Sequence, residues 1–198
     1  MLENTDSPRL ILASTSKYRQ QLLQRLGFPF ATYAPNVDET PLAQESSIAT
    51  ATRLAQLKAS AAASTHSRSL IVGSDQVAEC DGLRLAKPGT RELAMLQLRA
   101  ASGRTATFHT AVALLNGATG KLQAAVVPTR VRFRKLSQSE IDRYVDREPA
   151  YDCAGSAKSE GLGIALMETI ECDDPTALIG LPLITLCNML RNEGLSIP

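Results

Sequence analysis

Apolar and polar positions follow two different periods along this chain. Leu10, Ile11 and Leu12 form a short unbroken apolar run, which predicts a buried strand. From Tyr18 to Leu26 the apolar positions Leu22, Leu23 and Leu26 share one side of a helix that Gly27 stops. "FATYAP" reads as a strand, and "NVDETP" as a polar loop that ends in Pro41. The Ala-rich segment from Ser47 to Ser64, with Leu54 and Leu57 at helical spacing, predicts a second helix. "SLIVGSDQVAEC" is a β-rich run interrupted by Gly73, and Asp81-Gly82 predicts a hairpin into "LRLAKPG". Thr90 is placed to cap a helix carrying Leu93, Leu96 and Ala100, which Gly103 ends.

Two long strand patterns follow, "TATFHTAVALLN" and "KLQAAVVPTRVRFRKL", joined by "GATG". In the second, Val131 and Phe133 alternate with Arg130, Arg132 and Arg134, so the pair predicts an antiparallel hairpin. Ser137 or Ser139 opens a helix with Ile141, Tyr144 and Val145 on one side, closed by Pro149. A last helix starts at Pro182 and presents Leu183, Leu186, Cys187 and Leu190 on one face. The expected architecture is α/β with a mixed sheet, because the long hairpin near Asn116 forces antiparallel neighbours. No repeat or low-complexity linker divides residues 1–198, so one unit with two lobes around a cleft is expected.

Composition narrows the function. With 198 residues, 44% of them hydrophobic, the chain is long enough to bury a real core. Its 21 basic and 20 acidic residues leave a formal net charge of +1 without blocks of like charge. That balance argues against a nucleic-acid surface and for a small ligand. No apolar stretch approaches the roughly 20 residues of a membrane-spanning helix. The cysteines, Cys80, Cys153, Cys172 and Cys187, form no C-x-x-C pair, and "MLENTDSPR" carries no secretory pattern. Reduced thiols and a cytoplasmic location are expected.

Few residues could act as an imidazole base, since the only histidines are His66, in a Ser-rich turn, and His109, in a strand. Ser14-Thr15-Ser16-Lys17 matches S-x-x-K, but the companion sequences of the acyl-enzyme pattern are absent. "AGSAKSEGLG" lacks the order of a Walker or dinucleotide loop, yet it sets Lys158 and Glu160 among glycines that let backbone approach a ligand. Asp75 is the sharpest signal: a carboxylate inside an apolar β-run is costly unless the strand opens into a site or meets a cation. Asp38 and Glu39 add acids in a loop, and Lys87 adds a cation before Pro88. Acids, lysines and an arginine on separate loops suit a divalent ion and a polyphosphate. The hydroxyl-rich turn between the first strand and helix suits an anion at a helix N-terminus.

The stretches "LILASTSKYRQQLL", "VDET", "RLAQLKA", "GSDQV", "KPGT", "ASGRTATFHTAVAL", "YDCAGSAKSEGLG" and "DDPTALIGLPL" resemble, in order and over nearly the whole chain, the Maf family of nucleoside triphosphate pyrophosphatases. The resemblance implies an α/β fold with a deep cleft and a homodimer. It also implies a reaction dependent on a divalent metal, Mg2+ or Mn2+, that releases pyrophosphate from a nucleotide. The family is further linked to septum inhibition in some bacteria, so a regulatory nucleotide-binding protein is the alternative from another class.

Carried over by the resemblance, Asp75 is the proton acceptor that activates water, and Ser16 and Arg19 belong to the phosphate-binding first loop. Glu39 is an acid near the metal, with Asp75 a second candidate ligand, while Lys58 and Lys87 balance phosphate charge. Many relatives carry proline and a basic residue before that arginine; here Lys17-Tyr18 precedes Arg19. At the positions that separate the family's branches stand Tyr18, Gln76 and Glu160, similar to the branch that cleaves 7-methyl-GTP rather than dTTP and UTP. A ring made cationic by N7-methylation would gain a cation–π contribution from Tyr18, Glu160 would accept from the guanine N1–H and amine, and Gln76 would donate or accept at the base edge.

Overall fold

A computed structural model describes residues 10–197. The reading of "MLENTDSPR" lies outside the described residues. β1 (Leu10–Ala13) is buried along its whole length and pairs in parallel with β2 (Phe30–Tyr33) and β3 (Leu70–Cys80). β3 turns through Asp81 and Gly82, both at positive φ, into the short antiparallel β4 (Leu83–Leu85). Its other edge pairs antiparallel with β5 (Thr105–Asn116), which forms the expected hairpin with β6 (Leu122–Phe133). The seven-stranded sheet runs β2-β1-β3-β5-β6-β7, with β4 also on β3. It is mixed, as expected from the sequence.

Helix α2 (Ser47–Ala63) covers one face, where Ala51, Ala55, Ala59 and Ala62 lie against Ile71, Ala111 and Ala113. On the opposite face α1 (Lys17–Gln24) and α5 (Leu183–Asn192) pack Leu22, Leu23, Leu186 and Leu190 onto Leu70, Val72 and Leu114. α3 (Arg91–Ala101) and α4 (Gln138–Arg147) close a further cluster around Leu98, Phe108, Phe133 and Ile141. Ser137, rather than Ser139, caps α4 in a reciprocal capping box with Glu140. None of the helices among the described residues is long and apolar enough to cross a membrane.

Two features depart from the expected pattern. Gly73 does not interrupt β3, which runs unbroken through it. Its missing side chain instead admits α2: a Cβ there would overlap the Ala55 carbonyl oxygen and lie 2.7 Å from the Ala59 nitrogen. The second is β7 (Met167–Cys172), an edge strand on β6. Its residues are mostly exposed, so "METIEC" has no apolar face to give it away.

The register of β3 creates the cleft. β1 pairs only with Leu70 to Val72, and β4 only with Ala78 to Cys80. Between them, Gly73 to Val77 have no strand partner on that edge, so Asp75 and Gln76 stand where the sheet opens.

Because α2 sits so close to β3, Gly73→Ala is expected to cost about 1–3 kcal/mol, the usual penalty for overpacking. Urea denaturation of the variant against the parent checks this; an unchanged midpoint would mean that α2 shifts without cost.

Candidate active site

The open edge of β3 floors a cleft of about 810 Å3. On one side lies the start of α1. Ser16 is its N-cap, with its hydroxyl oxygen accepting from the Arg19 backbone N–H, and no acid occupies the first turn. Ser14 Oγ accepts from the Ser16 N–H at 3.1 Å and lies 3.5 Å from Arg19 Nη1. The Arg19 guanidinium donates from Nε to the Gly180 carbonyl at 2.9 Å. No carboxylate lies within ion-pair distance of it among the described residues. Burial pulls its pKa down while Asp75 and Glu39 act the other way. A helix N-terminus and a desolvated guanidinium side by side are chemically suited to an anion.

Opposite stands a cation between two acids. Lys58, on the sheet-facing side of α2 and only 5% exposed, donates at 2.7 Å to Asp75 Oδ1 and pairs at 2.6 Å with Glu39 Oε1. Desolvation resists ionisation of Glu39, but the hydrogen bond and charge of Lys58, with Lys87 and Arg19 beyond, hold its carboxyl below the ordinary range. Asp75 Oδ2 makes no hydrogen bond with the described residues and is open to the cleft. Lys87 follows β4 and lines the same cleft.

The loop that carries Glu39 is fastened at its far end. Glu45 accepts from Arg53 Nε at 2.7 Å and Nη2 at 2.9 Å, from Thr50 Oγ1 at 2.9 Å and from the Leu42 N–H at 3.1 Å. Arg84, from β4, donates to the Glu45 carbonyl and to Thr50 Oγ1. Arg53 also reaches the Thr40 carbonyl, next to Glu39.

A third wall comes from residues 174–182. Asp174 is buried and accepts from Thr176 Oγ1 at 2.7 Å and the Ile184 N–H at 2.8 Å, pinning the segment to the start of α5. The carbonyls of this segment receive site side chains: Gly180 takes Arg19 and Ser74, and Ala177 takes Thr110. Gln76 Nε2 lies 3.1 Å from the Ala177 oxygen, 3.0 Å from that of Leu178 and 2.8 Å from Thr110 Oγ1. The amide nitrogen of Gln76 is thus committed to the protein, and only its oxygen remains to meet a ligand.

At the remaining end, Tyr18 donates from Oη to Asp152 Oδ2 at 3.2 Å, and Lys158 Nζ sits 5.6 Å from the Tyr18 ring centroid. Glu160 is exposed beside them. Burial pushes the Cys153 thiol up to about 12, which disfavours the thiolate form that nucleophilic chemistry needs. His109 does not line the cleft; Nε2 lies 3.1 Å from Glu79 Oε1, and Nδ1 is buried with no hydrogen-bond partner among the described residues. His66 lies edge-on to Tyr33.

The cleft therefore brings together Ser16, Tyr18, Arg19, Glu39, Lys58, Asp75, Gln76, Lys87 and Glu160, which are far apart in sequence. Asp152 also lines it and was missed in the sequence; Lys158 had only its glycine-rich surroundings to mark it.

An open α/β sheet with a helix start, a buried guanidinium and paired acids in one cleft has the donor set that a phosphate-bearing ligand requires. Residues 9–193 match the family model described as Maf-like protein, and the chain belongs to the Maf family. It is 56% identical over 191 residues to a 7-methyl-GTP pyrophosphatase of Thiobacillus denitrificans, covering 96% of this chain and 95% of that relative. A protein of the same name from Cupriavidus metallidurans is 55% identical, with 94% of each chain covered. Another, from Burkholderia thailandensis, is 56% identical, with 94% of this chain and 88% of the relative covered.

The Glu45 clasp sets an acid limit. Hydrogen bonds from Arg53 hold the Glu45 carboxyl at about 2, below its usual value of 4.5. A depressed pKa gives stability that is present above the unfolded value and lost as pH falls toward the folded one. Glu45→Gln should thus lower the melting temperature at pH 6, and the difference from the parent should shrink between about pH 4.5 and 2. A constant difference across that range would show that the carboxylate charge is not what holds the loop.

Proposed function

We propose that this protein is a cytoplasmic pyrophosphatase that hydrolyses 7-methyl-GTP to 7-methyl-GMP and pyrophosphate, removing a modified nucleotide before it is incorporated into nucleic acid. The observation that carries the reading is Asp75: a buried carboxylate with one oxygen on Lys58 and the other open to a cleft that also holds Arg19. The names of the relatives support the substrate.

In this reading the triphosphate lies across the N-terminus of α1, with Ser16, Arg19 and Lys87 meeting its phosphates and Lys58, already paired with Glu39 and Asp75, completing the positive lining of the cleft. Asp75 accepts the proton of the attacking water at the α-phosphorus, and Lys58 fixes the carboxylate's orientation. The described residues contain no group of three or more His, Cys, Asp or Glu able to hold a metal by themselves. Two acids beside a phosphate site do fit Mg2+ or Mn2+, because Mg2+ is commonly bound by one or two carboxylates plus substrate phosphates and water. Glu39 would hold it, with Asp75 the second candidate ligand in place of its role toward water, and it would supply Lewis-acid stabilisation of charge growing on the phosphates. Glu160 and the Gln76 oxygen would read hydrogen-bond donors of the guanine edge, which a pyrimidine does not present in that arrangement.

Pyrophosphate release with Mg2+ from 7-methyl-GTP, GTP, dTTP, UTP and CTP tests the reading, and 7-methyl-GTP is expected to be cleaved best. Preference for dTTP and UTP would move the protein to the other branch of the family, and no release at all would favour the regulatory reading. Asp75→Asn is expected to lower kcat by roughly 10²–10⁴-fold, with nucleotide binding retained. Equal loss of binding and turnover would contradict its role as base.

A further inference from the structure

The cation that a 7-methylguanine ring would present already has a counterpart in the free protein. Lys158 Nζ stands 5.6 Å from the Tyr18 centroid and 3.9 Å from Asp152 Oδ1, while Tyr18 Oη donates to Asp152 Oδ2 at 3.2 Å. The Lys158 backbone is fixed: its N–H donates to Tyr144 Oη at 3.2 Å, its carbonyl accepts from the Gly161 N–H at 3.1 Å, and Gly163 packs so tightly over it that a Cβ would lie 2.6 Å from the Lys158 nitrogen. Its side chain is therefore the part free to leave. Asp152 is held by Tyr18 and by the Cys153 thiol, 3.5 Å from Oδ1, and its side chain is 64% exposed to the cleft. Burial opposes its ionisation, but the hydrogen bond from Cys153, its backbone contact, Lys158 and Tyr18 together leave the carboxyl below its ordinary value.

Discrimination between 7-methyl-GTP and GTP needs a contact that responds to charge. The hydrogen bonds of Glu160 go to edge groups that both bases carry, so they do not by themselves separate the two, and its charge adds to that of any carboxylate closer to Tyr18. Displacing Lys158 from Tyr18 costs the same whichever base arrives, so that step changes affinity without changing preference. A fixed carboxylate beside the ring behaves differently, because it attracts a cationic ring and has no net charge to attract in a neutral one.

We propose that Asp152 is a specificity-determining residue of the base subsite: its carboxylate supplies the negative charge that selects a cationic purine, and Lys158 neutralises that charge until the base replaces it. The proposal rests on the reading of the substrate as a nucleotide with a cationic purine. Tyr18 contributes by aiming the carboxylate as well as by offering its ring.

The experiment compares kcat/KM for 7-methyl-GTP and GTP in the parent, Asp152→Asn and Tyr18→Phe, at low and at high salt. In Asp152→Asn the preference for 7-methyl-GTP should fall about two- to fivefold, the size expected of a screened, partly exposed charge pair, through KM with kcat retained. Added salt should reduce the parent's preference more than that of Asp152→Asn, which keeps only the charge of Glu160 near the base. Tyr18→Phe keeps the ring and loses the hydrogen bond, so its preference should lie between the two. Calorimetric binding of 7-methyl-GMP and GMP gives the same comparison without turnover. If Asp152→Asn weakens both substrates equally, or Tyr18→Phe reproduces it in full, Asp152 only braces its neighbours and the proposal is overturned. A parent with no preference for 7-methyl-GTP would instead overturn the substrate reading on which it rests, a result visible before any variant is made.

Discussion

The close approach of α2 to β3 is the contact on which the site depends. A helix ordinarily keeps its distance from a sheet because side chains fill the space between them. Here Ala51, Ala55, Ala59 and Ala62 on the helix and Gly73 on the strand remove that filling. Lys58 lies in the same seam, and the short helix–strand separation presses its ammonium against Asp75. A larger residue at Gly73 would damage both packing and chemistry.

Charge in the cleft follows from the same seam. A buried ammonium is tolerated because carboxylates flank it, and Glu39 comes from a loop anchored by the Glu45, Arg53 and Arg84 clasp rather than by the core. Arg19 is held differently, by a backbone carbonyl rather than an acid, so its full charge remains for an anionic ligand. The cations thus fall into one that is balanced inside the protein and others, Arg19 and Lys87, whose balance a polyphosphate would complete.

Much of this was legible in the sequence because the strong elements are periodic. The β5–β6 hairpin, α2, α4 and the buried β1 all carry patterns that tertiary contacts did not override. The candidate site was legible through the costly position of Asp75 and through the family motifs, and the fold gathers those residues into one cleft. Gly73 was misread because a glycine in a strand looks like a break, and only the register of α2 shows it to be a contact. β7 was missed because an exposed edge strand has no apolar face. Asp152 escaped for another reason, and Gln76, named in the sequence, kept its partners hidden there: what these side chains do is decided by groups distant in sequence, the hydroxyl of Tyr18 and the carbonyls of Ala177 and Leu178. No local pattern encodes such pairings.

The segment 174–182 lends its backbone oxygens to Arg19, Ser74, Gln76 and Thr110, side chains made long before it during synthesis. A ribosome that has released β1, α2 and β3 has thus delivered the acid, the lysine and the guanidinium without the acceptors that orient them. Arg19 and Ser74 thus take their final orientation from a segment more than 100 residues further along the chain, and the site is complete only when those distant stretches meet.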